Sequence, residues 1–144
     1  MLSTDASILK PNSAAAQRMA EYGALAEQLD IIVCTVGARD EVLIANNVRA
    51  IPTNSRSKFW YVRDMLAVAK HSISSGIDVV TSQDPFETGL GGWWISRRLK
   101  AKLQLQVHTD FLSPYFARES LKNRIRVWIA KWLLPKADSV RVVS

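Results

Sequence analysis

Two apolar spacings alternate along this chain, and together they predict strands and helices in turn. Residues 1–4 read as the end of a strand, and residues 5–12 as a loop containing Pro11. Ser13 is placed to cap a helix running to about Leu29, with Met19, Tyr22, Ala26 and Leu29 on one face. Residues 30–36, DIIVCTV, are β-branched almost throughout, the pattern of a strand buried on both faces of a parallel sheet. Short strands are predicted at 41–45 and 48–51, then a polar loop at 52–57. A helix over 58–75 follows, with Phe59, Val62, Leu66, Ala69 and Ile73 at helical spacing and Gly76 as its C-terminal cap. Residues 77–82 form the next strand, and Asp84-Pro85 open a helix to about Lys100. Residues 103–108 are a strand in which Leu103, Leu105 and Val107 alternate with Gln104, Gln106 and His108. A loop with Pro114 leads to a helix over 120–134, which Pro135 stops, and residues 137–144 are a final strand. The order predicts one α/β domain over residues 1–144, a doubly wound Rossmann-like parallel sheet with helices on both faces. Both ends read as cut, as in one half of a larger protein.

In open α/β sheets, ligands bind at the carboxyl ends of strands. Three such ends carry polar residues. The first is Ser3-Thr4-Asp5 and the loop to Ser13, where Asn12 and Ser13 at a helix N-terminus have the chemistry to hold an anion, although ordinary capping is the simpler role for Ser13. This loop has no glycine, which argues against a GxGxxG dinucleotide site and so against an NAD- or FAD-dependent oxidoreductase or epimerase. No GxxxxGK[ST] or GxSxG motif occurs. The second end is Thr81 to Glu87. Asp84, Pro85 and Glu87 fit a capping box, while the Gln83 amide can both donate to and accept from a hydroxylated ligand. Gly89, Gly91 and Gly92 behind it predict tight helix–sheet packing.

The third end, His108-Thr109-Asp110, offers the most chemistry. A histidine there can exchange protons with a sugar hydroxyl near neutral pH. His71 reads as surface, and no second His or Cys is spaced for a metal site. Cys34 reads as a small buried hydrophobe, and a lone cysteine suits a reducing cytoplasm.

Charge adds one further point. The net charge is +6, but residues 1–96 hold 8 basic and 10 acidic side chains, whereas 97–144 hold 11 basic and 3 acidic. The basic third points to an anionic partner. Within it, Ile125, Trp128, Ile129, Trp132 and Leu133 predict one apolar helix face, with Arg124, Arg126, Lys131 and Lys136 outside it. Core packing is the first reading of that face and an anionic membrane surface the second. Of the adjacent Trp93 and Trp94, one is expected inside and one outside. No nucleic-acid motif is present, and no apolar run approaches bilayer-spanning length.

Taken in order, SQDPFETGLGGWW, LQLQVHTDFLSPYF, NRIRVWIAKWLLPKADSVRVVS and the opening STD…RMAEYG resemble the N-terminal half of bacterial family-4 glycosyltransferases. The resemblance implies one half of a GT-B architecture: an acceptor-side domain whose partner domain holds the nucleotide-sugar donor. It implies transfer with retention of anomeric configuration, no bound metal and no cofactor beyond the donor as co-substrate. His108 matches the family's cleft histidine and would contact sugar or acceptor at the reaction centre. Asp5, Asn12, Ser13, Gln83, Asp84, Glu87, Thr109 and Asp110 would line the acceptor side, although Pro11-Asn12-Ser13 departs from the glycine common in relatives. The expected whole is a cytoplasmic enzyme, peripheral at the inner membrane face, acting on a glycan or lipid-linked acceptor in polysaccharide or cell-envelope synthesis. The 144 residues alone would be inactive. The alternative is a non-catalytic Rossmann-like binding module at a membrane surface.

Overall fold

The β-branched run that follows Asp30 forms a buried strand, paired in parallel on both sides. In the structure, a computed structural model describing residues 1–73 and 76–142, the chain divides into two units, Met1–Ile73 and Ser74–Ser144. The first unit contains β1 (Leu2–Ser3), α1 (Ala14–Gly23), β2 (Leu29–Val33), β3 (Val42–Ala45), β4 (Val48–Pro52) and α2 (Tyr61–Ser72). Its strands lie in the order β3-β4-β2-β1. Pairing is parallel from β1 to β2 and from β2 to β4. β3 departs from the all-parallel expectation, because it folds back on β4 as an antiparallel edge strand after a two-residue turn at 46–47. Ile31, Val33, Val48 and Ala50 from the strands, Ala15 and Met19 from α1, and Ile8 and Leu9 from a 3-10 turn make its core.

α1 stops at Gly23, six residues short of the predicted end, and Leu29 belongs to β2. A Cβ on Gly23 would run into Val48 Cγ2, so glycine lets the last turn of the helix lie close against β4. Asn47 ends the helix, donating from Nδ2 to the carbonyls of Gly23 (2.8 Å) and Ala26 (2.9 Å). Ala26 is exposed as a result. In α2 the inward residues are Met65 and Ala69, while Phe59 lies before the helix and is exposed. The helix ends at Ser72 with Ile73 as its cap residue, so Gly76, although at φ +99°, does not cap it. The predicted helical residues 74 and 75 lie outside the described ones.

The second unit contains β5 (Val79–Ser82), α3 (Glu87–Leu99), β6 (Lys102–Val107), α4 (Pro114–Glu119), α5 (Leu121–Leu133) and β7 (Ser139–Val142). β5, β6 and β7 pair side by side, all parallel. Helical crossovers between parallel strands in both units make the chain an α/β protein of the Rossmann-like class. The predicted strand at 137–144 is β7, with 143 and 144 outside the described residues. α4 was not expected, although Ser113-Pro114 is a helix-start signal.

Gly89 carries the close packing expected of α3. A Cβ there would lie 2.9 Å from the Asp84 carbonyl oxygen, 3.2 Å from Leu133 Cδ1 and 3.5 Å from Leu105 Cδ2. That close approach decides how α5 sits. Its inward residues are Ala130 and Leu133, both fully buried, with Val127 packed beside them. The predicted core face is thus largely inverted: Leu133 points in, but Ile125, Trp128 and Trp132 are exposed. Trp94 is exposed and Trp93 half-buried, one out and one in as expected. Cys34 is buried and His71 exposed.

Candidate functional site

β6 delivers the candidate site. Leu103 and Leu105 are buried, Gln106 is buried beside them, and the chain leaves the strand after Val107. His108, Thr109 and Asp110 then emerge exposed at its carboxyl end. Together with Val107, Phe111, Leu112 and Val142 they line a pocket of about 480 Å³. His108 Nε2 lies 3.1 Å from Gln106 Oε1. A proton on Nε2 makes this a hydrogen bond donated by the histidine and leaves Nδ1 as an open acceptor. In that tautomer the ring can take a proton from a hydroxyl, with its orientation held by a buried amide two residues back.

The loop is short and anchored. The Phe111 N–H donates to the Thr109 carbonyl (2.8 Å) and the Ser113 N–H to the Asp110 carbonyl (3.3 Å). The buried Phe111 ring meets Phe86 edge-on at 5.7 Å, and Phe86 stacks on Phe116 at 5.9 Å. Three polar side chains are thus presented to solvent on an apolar footing.

The Thr81–Glu87 segment belongs to the same unit but is put to other uses. No capping box forms: Asp84 is not the N-cap of α3, which is Phe86. Asp84 Oδ1 instead accepts from the Phe86 N–H (2.8 Å), closing a tight turn. Glu87 turns away from the backbone toward Arg126 of α5, whose Nε lies 3.1 Å from both carboxylate oxygens and whose Nη2 lies 2.9 Å from Oε1. A fork of this kind satisfies a carboxylate better than one backbone N–H. Arg126 also stacks over Phe86, 5.4 Å from the ring centroid. Glu87 is thereby a tie between α3 and α5. Gln83 is half-buried on the β5–α3 turn.

Asp5, Asn12 and Ser13 lie in the first unit. Asp5 Oδ1 caps the 3-10 turn, accepting from Ser7 N (2.9 Å) and Ser7 Oγ (2.6 Å). Asn12 takes φ +61°, a left-handed conformation that asparagine tolerates. Ser13 caps α1: its Oγ accepts from the Ala16 N–H (3.0 Å) and donates to the Ser7 carbonyl (2.7 Å).

A further polar strand end was missed in the sequence. Beyond Val33 and Pro52 the pairing continues through backbone and side chains: Ser55 N–H donates to the Thr35 carbonyl (2.9 Å), Thr35 N–H donates to Thr53 Oγ1 (3.0 Å), and Ser55 Oγ lies 3.0 Å from Thr53 Oγ1. Asn54 is bound to Arg39 through both ends of its amide. Thr53, Asn54, Arg56, Trp60, Arg63 and Asp64 line a pocket of about 530 Å³, with the Arg63 guanidinium 4.7 Å from the Trp60 ring centroid. An aromatic face beside guanidinium groups suits a hydroxylated or anionic ring. The signal was available, since the polar run 53–57 directly follows a predicted strand.

Burial raises the Asp84 carboxyl pKa above its ordinary value, only partly opposed by the Phe86 N–H. A carboxyl with a raised folded pKa contributes stability below its unfolded pKa and loses it as pH rises through the folded value. Asp84→Asn keeps an acceptor for Phe86 and cannot ionise. The variant is expected to melt a few degrees above the parent at pH 7 and to lose that part of the pH dependence. Thermal unfolding from pH 3 to pH 8 checks this, and superimposed profiles would refute it.

Polar groups at the ends of parallel strands place the chain among Rossmann-like proteins that bind ligands at a strand-end rim. Residues 17–144 match the family model Glycosyltransferase Family 4, and the chain belongs to that family. No curated protein matches it significantly. Membership supports a glycosyltransferase-like function, one whose substrates are a sugar donor and an acceptor. The match takes in the His108 pocket and the Thr81–Glu87 segment but begins after Asp5, Asn12 and Ser13. Among the described residues, no three His, Cys, Asp or Glu side chains come together to hold a metal, and no helix is long and apolar enough to cross a membrane.

Proposed function

We propose that this chain is the acceptor-binding half of a retaining glycosyltransferase, with His108 meeting the acceptor at the reaction centre. The observation that carries the reading is the strand-end pocket within the family-matched segment, in which His108, Thr109 and Asp110 stand together on a fixed loop. Each can exchange hydrogen bonds with sugar hydroxyls, and His108 Nδ1 can accept the proton that an attacking hydroxyl must lose. Donor binding and the groups that stabilise a leaving nucleoside diphosphate then belong to a second domain. The reading extends to a glycan or lipid-linked acceptor of polysaccharide or cell-envelope synthesis, met on the cytoplasmic side.

The test is acceptor binding by the 144-residue chain, measured by calorimetry against lipid-linked oligosaccharides and envelope glycans. One hydrogen bond is worth about 0.5–1.5 kcal/mol net, so His108→Ala is expected to weaken binding about threefold to tenfold. Asp110→Ala should behave alike, and no nucleotide sugar should be turned over. Acceptor binding indifferent to both substitutions would refute the site. Sugar transfer by the chain alone at an ordinary enzymatic rate, about 1 per second or more, would refute the division of labour.

A further inference from the structure

α5 is amphipathic in the reverse of the expected sense, with large apolar residues on its solvent side. Leu121, Ile125, Trp128 and Trp132, spaced four, three and four residues apart, form a single row along the helix. They are 72, 53, 68 and 37% exposed. The opposite face holds Ala130 and Leu133, both fully buried, and Arg126 bound to Glu87. The row is therefore not surplus core. The helix already has its core contact, and the exposed row is a second apolar face.

The edges of the row are basic. Arg124 and Lys131 stand on one side and Lys122 on the other, all exposed, with Lys122 Nζ 3.8 Å from Glu87 Oε1. α5 contains no acidic residue. At its end Lys136 lies 4.4 Å over the Trp132 ring, and Trp132 meets Trp93 edge-on at 5.0 Å, next to the exposed Trp94. Beyond them Arg97 and Arg98 are exposed at the end of α3.

An exposed ridge of Trp, Ile and Leu with basic side chains along both edges matches the two layers of a lipid surface. Indole rings prefer the headgroup–acyl boundary, and lysine and arginine stems reach past the apolar layer to phosphates. We propose that α5 seats this chain on an anionic lipid bilayer, lying in the plane of the interface with Leu121, Ile125, Trp128 and Trp132 below the headgroups and Lys122, Arg124 and Lys131 among them. The charge fixes the class of lipid: the apolar row can enter any bilayer surface, but the cations along its edges gain only from the net negative charge of an anionic one. The proposal does not depend on the acceptor reading, because it uses none of the pocket residues.

The test is co-sedimentation of the chain with vesicles of phosphatidylcholine alone and of phosphatidylcholine mixed equally with phosphatidylglycerol. The chain is expected to bind the mixed vesicles at least about tenfold more tightly than the neutral ones, and less tightly as salt rises. Ile125→Ser/Trp128→Ser should lose that binding by about tenfold or more, with circular dichroism and melting unchanged, because both side chains are outside the core. Arg124→Glu/Lys131→Glu, which leaves the apolar row intact, should lose the preference for phosphatidylglycerol. Absence of binding to mixed vesicles overturns the proposal, as does binding that neither variant alters. Sedimentation equilibrium separates the other occupant: a dimer that Ile125→Ser/Trp128→Ser dissociates, in a chain that ignores lipid, would make the row a contact between copies and overturn the proposal.

Discussion

Phe111→Ala is expected to destabilise the second unit by about 3–5 kcal/mol, the range for truncating a buried aromatic residue. Phe111 is 3% exposed and meets Phe86 edge-on, and Phe86 in turn stacks on Phe116 and lies under Arg126. Removing one ring leaves a cavity among Phe86, Ala130 and the side chains packed against them. Phe111→Leu, which keeps most of the volume, should cost under about 1.5 kcal/mol. Urea unfolding of the three proteins measures both numbers. A Phe111→Ala midpoint matching the parent's would show that the ring cluster does not anchor the loop.

The same substitution separates packing from chemistry at the pocket. Phe111 follows His108, Thr109 and Asp110 directly, and its ring is the only one of the four side chains that is buried. His108→Ala removes a polar partner and leaves the loop in place, so stability should hold while acceptor binding falls. Phe111→Ala frees the loop, so both should fall together. Rigid positioning is what makes three exposed polar groups a site and not a solvated turn.

The alternation of strands and helices and the polar strand ends were legible because buried parallel strands are apolar almost throughout and break sharply into polar residues. DIIVCTV and LQLQV could hardly be placed elsewhere. What escaped was set by contacts distant in sequence. The helical pattern of residues 14–29 runs on past Gly23, and it ends where Asn47 takes the Gly23 and Ala26 carbonyls and Val48 presses on Gly23. Asp84-Pro85 has the letters of a cap, but Arg126, 39 residues past Glu87, offers that carboxylate a better partner. In α5 the aromatic residues dominate any reading of its apolar side. The facing surface, with Gly89 pressed close, accepts Ala130 and Leu133 instead. Of the site, the β6 end was visible from alternation alone. The Trp60–Arg63 pocket was passed over although its polar run follows a predicted strand, because a Ser- and Asn-rich run reads equally well as an ordinary loop.

Arg49→Met is expected to cost the first unit about 2–3 kcal/mol, at or below the lower end of the ~3–5 kcal/mol range for breaking a buried ion pair, since the guanidinium is itself partly exposed. Asp30 and Arg49 are direct partners in the β2–β4 register, with Nε 2.9 Å from Oδ1. The Asp30 side chain is 3% exposed, and Gln28 Nε2 donates to both its oxygens. Without Arg49 the carboxylate would keep that amide but lose its counter-charge in a place water scarcely reaches. Arg49 also donates from Nη2 to the Ser72 carbonyl (2.7 Å), where α2 presents its negative end, so the residue joins two strands to a helix. Lysine has one ammonium and no fork, so Arg49→Lys should recover the charge but not both contacts, and fall between the parent and Arg49→Met. The decisive measurement is a double-mutant cycle in urea. If the cost is an uncompensated buried charge, adding Asp30→Asn to Arg49→Met should return most of the lost stability. If it deepens the loss, the energy resides in the packing of the arginine stem, and the ion pair is incidental to how β2, β4 and α2 hold together.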